Sequence, residues 1–432
     1  MSDARFIRTI IIARPDALGD LVIASSAVAE VRSAFPEAKI VLLVNRAYVD
    51  VAWMVPGVSD VIADETPYRM RIQDWRKWVA LVRRMRQLNA DLFIGLWEKP
   101  RFGWASVVAG IRYRVGYRIG LLGRFLWTRS VPIQFSDWRL HQMDHNRNVI
   151  ACAAGSFGRV VSPQPMALIP PDCDRRRQLP DIYFAVHLDA SNPGKTIQPL
   201  QMIAVIEGVL TRGHHCVLIG LQRPWVQAVR DHFETDVRVT DWCGLLNLPE
   251  MASIIRDAHG YIGPDSGPGH MAAALNQRGV IYYINRDQNP LRWMPWASAM
   301  VPIRNPGPQL LVSCFWEMVD QCKSSSSINR ERAARATITI GRIGGIGSEW
   351  EPILKDVAVH QLLMEREVGR FARSMVEYNI NVVIGMSHGW REWLKLQWAL
   401  IYAANHNHFK PMRYVGTPDQ FWSWAVNQKT QS

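Results

Sequence analysis

Short apolar runs alternate with amphipathic stretches along the first part of the chain. Apolar residues recur at helical spacing in residues 21–35, which end before Pro36, and in residues 74–88. Four intervening runs are rich in Val, Ile, Leu and Phe, which is typical of strands buried on both faces: residues 9–14, 39–44, 58–62 and 91–96. A strand, a helix and a second strand in succession form a βαβ unit, so this part predicts a parallel sheet.

A second series of the same kind follows a proline-rich stretch. Residues 163–180, with four prolines between positions 163 and 171, predict an interdomain linker. Beyond it, helical spacing occurs in residues 199–211, from Trp225 onwards and in residues 248–257. Further strands are predicted at residues 182–188, 216–219, near 237, 258–263 and 279–284. The sequence therefore predicts an α/β fold whose two doubly wound domains, residues 1–170 and 180–322, face a cleft.

The chain changes character after a run of serines at 324–327. Residues 390–404 favour an amphipathic helix, and residues 419–426 repeat that pattern less clearly. Three stretches favour strands: residues 338–340, 381–384 and 412–417. We expect residues 325–432 to form a C-terminal extension, α/β or mainly helical, whose role the sequence does not indicate.

The charge balance indicates an anionic partner. The 432 residues include 50 Lys and Arg against 38 Asp and Glu, a net charge of +12. This excess fits an anionic substrate, an anionic membrane surface or nucleic acid without choosing among them. Residues 112–129 combine arginines with Tyr, Phe and Trp and are suited to gripping an anionic partner. No helix-turn-helix, zinc-finger or RNA-binding motif accompanies them, so we expect no nucleic-acid partner.

Cysteine and histidine usage argues against disulfides and metals. The six cysteines are scattered without a C-x-x-C pair, which predicts a reducing compartment and no zinc site. His388, His406 and His408 lack the spacing of metal ligands. The N-terminus lacks an apolar signal core, and no apolar run reaches about 18 residues. We therefore expect a cytoplasmic protein without a metal site or a transmembrane helix.

Tryptophans beside basic residues leave two interpretations open. The chain has 18 Trp, and residues 75–78 read Trp-Arg-Lys-Trp. The other face of the predicted helix 74–88 carries Arg76, Lys77, Arg83, Arg84 and Arg86. This pattern suits a membrane-facing or acceptor-facing surface. It equally fits a solvated helix face with tryptophans packed in the core.

Residues 261–275 contain the strongest candidate for an anion site. Pro264, Gly267, Pro268 and Gly269 predict a tight turn between a strand end and a helix, with Asp265 and Ser266 as helix-capping residues. A helix N-terminus presents unpaired N–H groups and a partial positive charge, so it attracts anions. This turn predicts a phosphate-bearing ligand beside His270, and the alternative is an ordinary strand-to-helix turn.

Two other loops follow predicted strands and carry reactive side chains. Asp16 and Asp20 stand at the start of a helix, where they either cap it or supply a general base. Gly19 is the single glycine of that loop, and no G-x-x-x-x-G-K-[ST] motif occurs, which argues against dinucleotide-dependent dehydrogenases and P-loop enzymes. Lys195 ends the second loop and is suited to offsetting phosphate charge, or is a surface lysine.

Together these segments resemble glycosyltransferase family 9, the lipopolysaccharide heptosyltransferase type. They occur in the family's order over residues 6–315. The first reads Ile-Ile-Ile-Ala-Arg-Pro-Asp-Ala-Leu-Gly-Asp-Leu-Val and the last Gly-Pro-Asp-Ser-Gly-Pro-Gly-His-Met-Ala-Ala-Ala-Leu, and all six are residues 10–22, 90–96, 114–117, 187–195, 243–248 and 263–275.

The resemblance implies a GT-B fold, with an acceptor-side Rossmann-like domain followed by a domain that binds a nucleotide sugar. It implies an inverting transferase without cofactor or bound metal. It further implies a nucleotide-diphosphate heptose, ADP-heptose above all, as the donor and a hydroxyl of a lipopolysaccharide-core-like or other glycan as the acceptor. An anionic glycolipid acceptor would bring the enzyme to the inner face of the cytoplasmic membrane as a peripheral protein.

The resemblance also implies roles for individual residues. Asp20 falls on the catalytic base, and Arg14, Asp16 and Gly19 fall on the acceptor side. The donor side comprises Ser191, Lys195, Leu246, Asp265, Ser266, Gly267, Pro268, Gly269 and His270, with Leu246 near the base and the others near the diphosphate.

The chain departs from the family pattern at three places. Thr196 and Ile197 stand where a tryptophan is usual, and residues 220–224 lack the acidic residue that often contacts the ribose. Residues 276–279 replace a Gly-x-Pro. Two alternatives therefore accompany the transferase: a nucleotide-sugar epimerase on the same fold, and a non-catalytic glycan- or nucleic-acid-binding relative.

Overall fold

The structure is a computed structural model that forms two units, Met1–Asp320 and Gln321–Ser432, and each is described by itself. In the first unit it describes residues 7–67, 71–97, 99–118, 123–132, 141–284, 290–294, 300–304 and 306–320. In the second unit it describes three strands only, residues 340–343, 382–385 and 412–414.

The first sheet of the larger unit has six parallel strands in the order β3-β2-β1-β4-β5-β6. Ile11 in the central strand pairs with Val41 on one side and Phe93 on the other, and all three are fully buried. Such continuous apolar strands need helices on both faces. The strands are β1 (Thr9–Ala13), β2 (Lys39–Asn45), β3 (Asp60–Asp64), β4 (Leu92–Gly95), β5 (Tyr113–Arg118) and β6 (Arg129–Pro132).

Helices cover this sheet on two faces. Leu21 and Val149 belong to the core on one face, and Leu81 and Phe102 belong to the core on the other. The helices are α1 (Leu18–Ala34), α2 (Val49–Trp53), α3 (Trp75–Gln87), α4 (Pro100–Val108), α5 (Gly123–Leu126) and α6 (Gln142–Gly155).

The second sheet repeats the strand order of the first. Its order is β12-β11-β10-β7-β8-β9, again parallel throughout. The strands are β7 (Tyr183–His187), β8 (His215–Ile219), β9 (Val239–Asp241), β10 (Tyr261–Pro264), β11 (Gly279–Tyr283) and β12 (Met300–Arg304). The helices are α7 (Pro199–Leu210), α8 (Gln227–His232), α9 (Leu248–Asp257), α10 (Gly267–Ala274), α11 (Pro290–Trp293) and α12 (Pro308–Asp320).

The predicted α/β fold of two doubly wound, Rossmann-like sheets is confirmed. In each sheet the strand order reverses between the first and fourth strands, β1 and β4 or β7 and β10. Ligands of such sheets bind beyond the carboxyl ends of the strands at this point. The loops after β1, β7 and β10 therefore define where a site is expected. The domain boundaries at 1–170 and 180–322 stay a prediction.

The second unit contains a parallel sheet of β13 (Ile340–Ile343), β14 (Val382–Gly385) and β15 (Met412–Tyr414), in the order β13-β14-β15. The predicted strands at 381–384 and 412–417 overlap β14 and β15, and the one at 338–340 overlaps β13 only at its end. The predicted helix 390–404 and the stretch 419–426 lie outside the described residues. His388, His406 and His408 lie outside them too.

Two helices begin earlier than the apolar pattern predicts. The helix predicted from residue 21 begins at Leu18, so Asp20 lies in its first turn. The helix predicted to follow the turn at 264–269 begins at Gly267 and includes Pro268. Proline is tolerated in the first turn because its missing N–H would have no helical partner there. The predicted turn at 264–269 is therefore partly helix.

The interpretation of residues 112–129 as a grip for an anionic partner is wrong at Arg114. Its Nε donates to the carbonyl of Leu126 at 2.9 Å and its Nη1 to the carbonyl of Ile111 at 2.7 Å. These bonds satisfy carbonyl groups of the chain around β5. The side chain therefore holds the sheet edge together.

Trp127, in the same stretch, belongs to the core. Its ring stacks on Phe93 with centroids 6.2 Å apart, and its Nε1 donates to the carbonyl of Tyr117 at 2.9 Å. The ring fills space left by two glycines, since a Cβ at Gly95 or Gly116 would lie within 2.8 Å of it. The indole thus replaces side chains that β4 and β5 lack.

We expect Trp127→Ala to lower the free energy of unfolding by about 3–5 kcal/mol, because it leaves a large cavity over two glycines. Urea unfolding followed by circular dichroism measures the loss. Arg112→Ala is the control, because its side chain is exposed beside the Tyr113 ring and should cost less than about 0.5 kcal/mol. Equal losses for the two variants would contradict the core role of Trp127.

Candidate active site

The first turns of α1 and α10 touch through reciprocal glycine contacts. A Cβ added to Gly19 would lie 2.7 Å from Cδ2 of His270. A Cβ added to Gly267 would lie 2.6 Å from Cδ2 of Leu18. Each glycine therefore lies directly beneath a side chain of the other helix. This contact joins the loop after β1 to the turn after β10.

Arg14 organises the loop after β1. The residue is 2% exposed, and its guanidinium donates to the carbonyl of Leu96 and pairs with Asp16 at 2.9 Å and with Asp20. The helix begins from Ala17 without a side-chain cap, so capping does not explain the two aspartates. Arg14 was predicted on the acceptor side, and its contacts make it the support of Asp20.

Arg14, Asp16 and Asp20 form a cluster with one positive charge and two carboxylates, and this excess of carboxylate matters for proton transfer. Burial lowers the pKa of Arg14, but Asp16 and Asp20 more than offset this and raise it, so the guanidinium stays charged. One positive charge thus faces two carboxylates. If Asp20 accepts a proton, Asp16 still balances Arg14, so the buried cation is never left uncompensated.

The Lys195 side chain reaches the turn after β10, the position predicted for a side chain that binds phosphate. Its Nζ is 3.1 Å from Oδ2 of Asp265 and 3.4 Å from the carbonyl oxygen of that residue. Lys195 ends a short 3₁₀ turn, Pro193–Lys195, and its side chain is partly exposed. Ser191 is exposed on the same loop. The ion pair ties the Lys195 side chain to the turn after β10, and its phosphate-binding role stays a prediction.

The predicted capping role of Ser266 is wrong for the described turn, and Asp265 precedes the N-cap position. Ser266 occupies the N-cap position, but its side chain makes no capping hydrogen bond. Its Oγ lies 3.2 Å from Nδ1 of His187 and 3.2 Å from the carbonyl of Pro264. The first-turn N–H groups of Gly267 and Gly269 are thereby left for a ligand.

His270 is buried where the two loops meet. Its ring is 5% exposed, with Nε2 3.9 Å from Asp265 and Nδ1 lacking a hydrogen-bond partner among the described residues. Burial, with a smaller contribution from Lys195, lowers the pKa of His270, whereas Asp265 and Asp20 oppose the shift. The contact of Gly19 with this ring places the loop after β1 next to the turn after β10.

The remaining predicted residues are placed less centrally. Pro268 and Gly269 lie in the first turn of α10, and a Cβ at Gly269 would lie 2.8 Å from Ile281. Leu246 is partly buried and packs against the core, so only part of it is available to a ligand. No described group of three or more His, Cys, Asp or Glu side chains is placed to hold a metal ion.

Sequence reasoning missed His187 and Asp189. Both are 3% exposed, and they lie at the end of β7, next to the turn after β10. Their signal was available, because polar residues that directly follow a buried strand at the reversal of strand order lie at the ligand edge. Only Ser191 and Lys195 were selected from that segment.

The chain belongs to glycosyltransferase family 9. The family profile described as "Glycosyltransferase family 9 (heptosyltransferase)" matches residues 78–311, more than half of the chain. The protein is accordingly a glycosyltransferase, and its two parallel sheets form a GT-B fold.

Relatives and solved structures agree with this assignment. Lipopolysaccharide heptosyltransferase 3 of Escherichia coli is 21% identical over 296 residues, 66% of this chain and 85% of that protein. The structure of E. coli ADP-heptose lps heptosyltransferase II matches with a TM-score of 0.61 at 17% identity, covering 73% of this chain and all of that one. E. coli heptosyltransferase WaaC with ADP matches at 0.58 and 17%, covering 72% and 99%. At these identities the structures show the fold.

We expect His270 to make stability depend on pH. The folded-state pKa of His270 lies below the ordinary value of 6.5, so the unfolded chain binds the proton more readily. The free energy of unfolding therefore decreases as pH falls through about 6.5. His270→Gln should reduce the difference in unfolding free energy between about pH 5.5 and about pH 7.5. His232→Gln, with an exposed ring on α8, is the control. An unchanged pH dependence in His270→Gln would contradict the assignment.

Proposed function

We propose that this glycosyltransferase moves a heptose from ADP-heptose to a hydroxyl of a lipopolysaccharide-core-like or other glycan acceptor. The contact of Gly19 with His270 carries the proposal, because it brings Asp20 beside the turn of Asp265, with which Lys195 pairs. The relatives named above as heptosyltransferases, and the related structure with ADP, support the choice of donor.

The proposed reaction is a single displacement with inversion. The acceptor oxygen attacks the anomeric carbon, the bond from that carbon to the diphosphate breaks, and the electron pair leaves with the diphosphate. Asp20 takes the acceptor proton as general base. Arg14 holds the carboxylate in place, and Asp16 balances the guanidinium once Asp20 is protonated. No covalent sugar–enzyme intermediate is required.

The leaving diphosphate is stabilised by groups already in position. Lys195 supplies a positive charge, and the first turn of α10 supplies N–H groups and the positive end of the helix dipole. His270 and Ser266 border the same space. Preorganised electrostatic stabilisation of this kind is usually the largest single catalytic contribution. The site needs no bound metal in this scheme.

The nucleotide and the reaction class are tested together. Thermal-shift measurements with ADP, UDP, GDP and CDP should show the largest stabilisation by ADP, because stabilisation grows with ligand concentration relative to the dissociation constant. NMR of ADP-heptose incubated with enzyme alone distinguishes the alternatives. A new sugar isomer would indicate an epimerase, and nucleotide binding without transfer to any acceptor would indicate a non-catalytic relative.

We expect Asp20→Asn to slow heptosyl transfer by about 100- to 10,000-fold, the usual contribution of a general base, while ADP binding is nearly unchanged. Transfer is measured by ADP release and binding by calorimetry. Loss of ADP binding with residual transfer would contradict the role of Asp20.

Lys195→Ala should instead weaken ADP binding by about 10- to 100-fold, the cost of a charged hydrogen bond. Lys39→Ala is the matched control. Lys39 begins β2 at the opposite edge of its sheet and pairs with Asp60 at 3.0 Å. Equal ADP affinity in the two lysine variants would contradict the proposed diphosphate site.

We also propose that the enzyme is cytoplasmic and acts at the inner face of the membrane on an anionic glycolipid. The net charge of +12 supports this. Ile72 is 93% exposed and Trp75 53% exposed, next to Arg76 and Lys77 at the start of α3. Apolar and basic side chains together suit a peripheral membrane contact. None of the described helices is long and apolar enough to cross a membrane.

We expect the double variant Ile72→Ser/Trp75→Ser to bind phosphatidylglycerol-containing vesicles about 10- to 100-fold more weakly, since two apolar side chains no longer enter the bilayer. Vesicle sedimentation measures the binding. Val237→Ser, a change at a 91% exposed position of the other domain, is the control and should bind like the unmodified protein. Undiminished binding of the double variant would exclude this surface.

A further inference from the structure

Three polar side chains, Ser266, His187 and Asp189, form a row from the turn after β10 to the end of β7. Ser266 Oγ lies 3.2 Å from Nδ1 of His187, and Nε2 of His187 lies 3.2 Å from Oδ1 of Asp189. The three residues follow or end the neighbouring strands β10 and β7. Only Ser266, at the N-cap of α10, reaches the space proposed for the diphosphate.

The inner end of the row is firmly held. The Leu221 N–H donates to Oδ1 of Asp189 at 2.9 Å, and Nε of Arg223 lies 3.7 Å from Oδ2. Gly220 has φ +132°, and a Cβ there would lie 2.2 Å from Oδ1, so only glycine fits. Burial raises the pKa of Asp189, but His187, Leu221 and Arg223 more than offset this and lower it.

The position of each proton follows from these contacts. An ionised carboxylate only accepts hydrogen bonds, so Nε2 of His187 carries a proton toward Asp189. Ser266 has one hydroxyl proton but two protein acceptors nearby, Nδ1 of His187 and the carbonyl of Pro264. A diphosphate oxygen would be a third acceptor. If the hydroxyl turns toward the phosphate, a neutral His187 ring is left with an unpaired buried nitrogen.

We propose that His187 takes up a second proton when a nucleoside diphosphate binds, so that Ser266 becomes a hydrogen-bond donor to the diphosphate. The proton comes from solvent and goes to Nδ1. That N–H then donates to Ser266 Oγ, whose own O–H donates to a phosphate oxygen, and no covalent bond of the serine changes. Asp189 balances the charge of the ring. This inference rests on the proposed function, and His187 and Asp189 act as positioning residues.

The charged surroundings of His187 permit this change. Asp189 is the nearest charge, and Arg223, beyond it, opposes protonation. Burial keeps Tyr261 and Cys243 neutral, because it raises the pKa of each. On the side of Ser266 the described titratable or charged groups are Asp265, Lys195, His270 and Asp20, with the Tyr261 hydroxyl beside the serine itself. The incoming diphosphate adds negative charge on that side and favours a protonated ring.

Calorimetry of ADP binding in two buffers with different ionisation enthalpies counts the protons taken up. We expect the unmodified protein to take up protons and His187→Gln to lose that share, since glutamine can still donate to Asp189 but cannot titrate. His187→Gln and Ser266→Ala should each bind ADP about 10-fold more weakly. The double variant should bind no more weakly than either single variant, because each change removes the same hydrogen bond, that from Ser266 to the diphosphate.

His232→Gln is the control, since its ring is exposed on α8 beside Glu207 and has no part in the proposed site. We expect it to keep the proton uptake. Uptake that persists in His187→Gln or disappears in His232→Gln would overturn the inference, as would additive losses in the double variant. If His187→Gln does not fold, Asp189→Asn replaces it, with the same expected loss of uptake. If the unmodified protein binds no nucleoside diphosphate, the proposed function fails and this inference with it.

Discussion

The close contact between the first turns of α1 and α10 is the constraint on which the site depends. Gly19 lies beneath His270, and Gly267 lies beneath Leu18, so neither helix can carry a side chain at its contact position. Two sheets from different parts of the chain thereby place their reactive loops side by side. In the proposed reaction, α1 supplies the base and the first turn of α10 supplies the leaving-group site.

Around this contact, the charged side chains named below each have a partner of opposite charge. Arg14 faces Asp16 and Asp20, and Lys195 faces Asp265. A buried charge without a partner is strongly destabilising, whereas a paired one is held in a fixed geometry. The pairs therefore set the positions of the groups that would handle the proton and the diphosphate. Charge also links the loop after β1 to the turn after β10, because Asp20 opposes the lowering of the His270 pKa.

Much of the fold could be predicted because parallel strands buried on both faces have a distinctive apolar pattern. The run at residues 9–14 became β1, and the run at 39–44 became β2. Helix starts were less predictable. α1 begins at Leu18 and α10 at Gly267, since the first turn needs no apolar stripe and its residues are chosen by contacts across the domains. The core position of Trp127 was not predictable for a similar reason, because the glycines that it packs on, Gly95 and Gly116, come from β4 and β5.

By itself, the sequence determined which loops carry candidate reactive side chains, since Asp20, Lys195 and the residues from Asp265 to His270 each lie in the loop or turn after a predicted strand. It could not determine what those side chains touch. Only the tertiary structure turned Arg14 into the support of Asp20, turned Ser266 away from capping and added His187 to the site. Local pattern depends on neighbours in the chain, whereas hydrogen bonds and charge pairs depend on distances that exist only after the sheets have assembled.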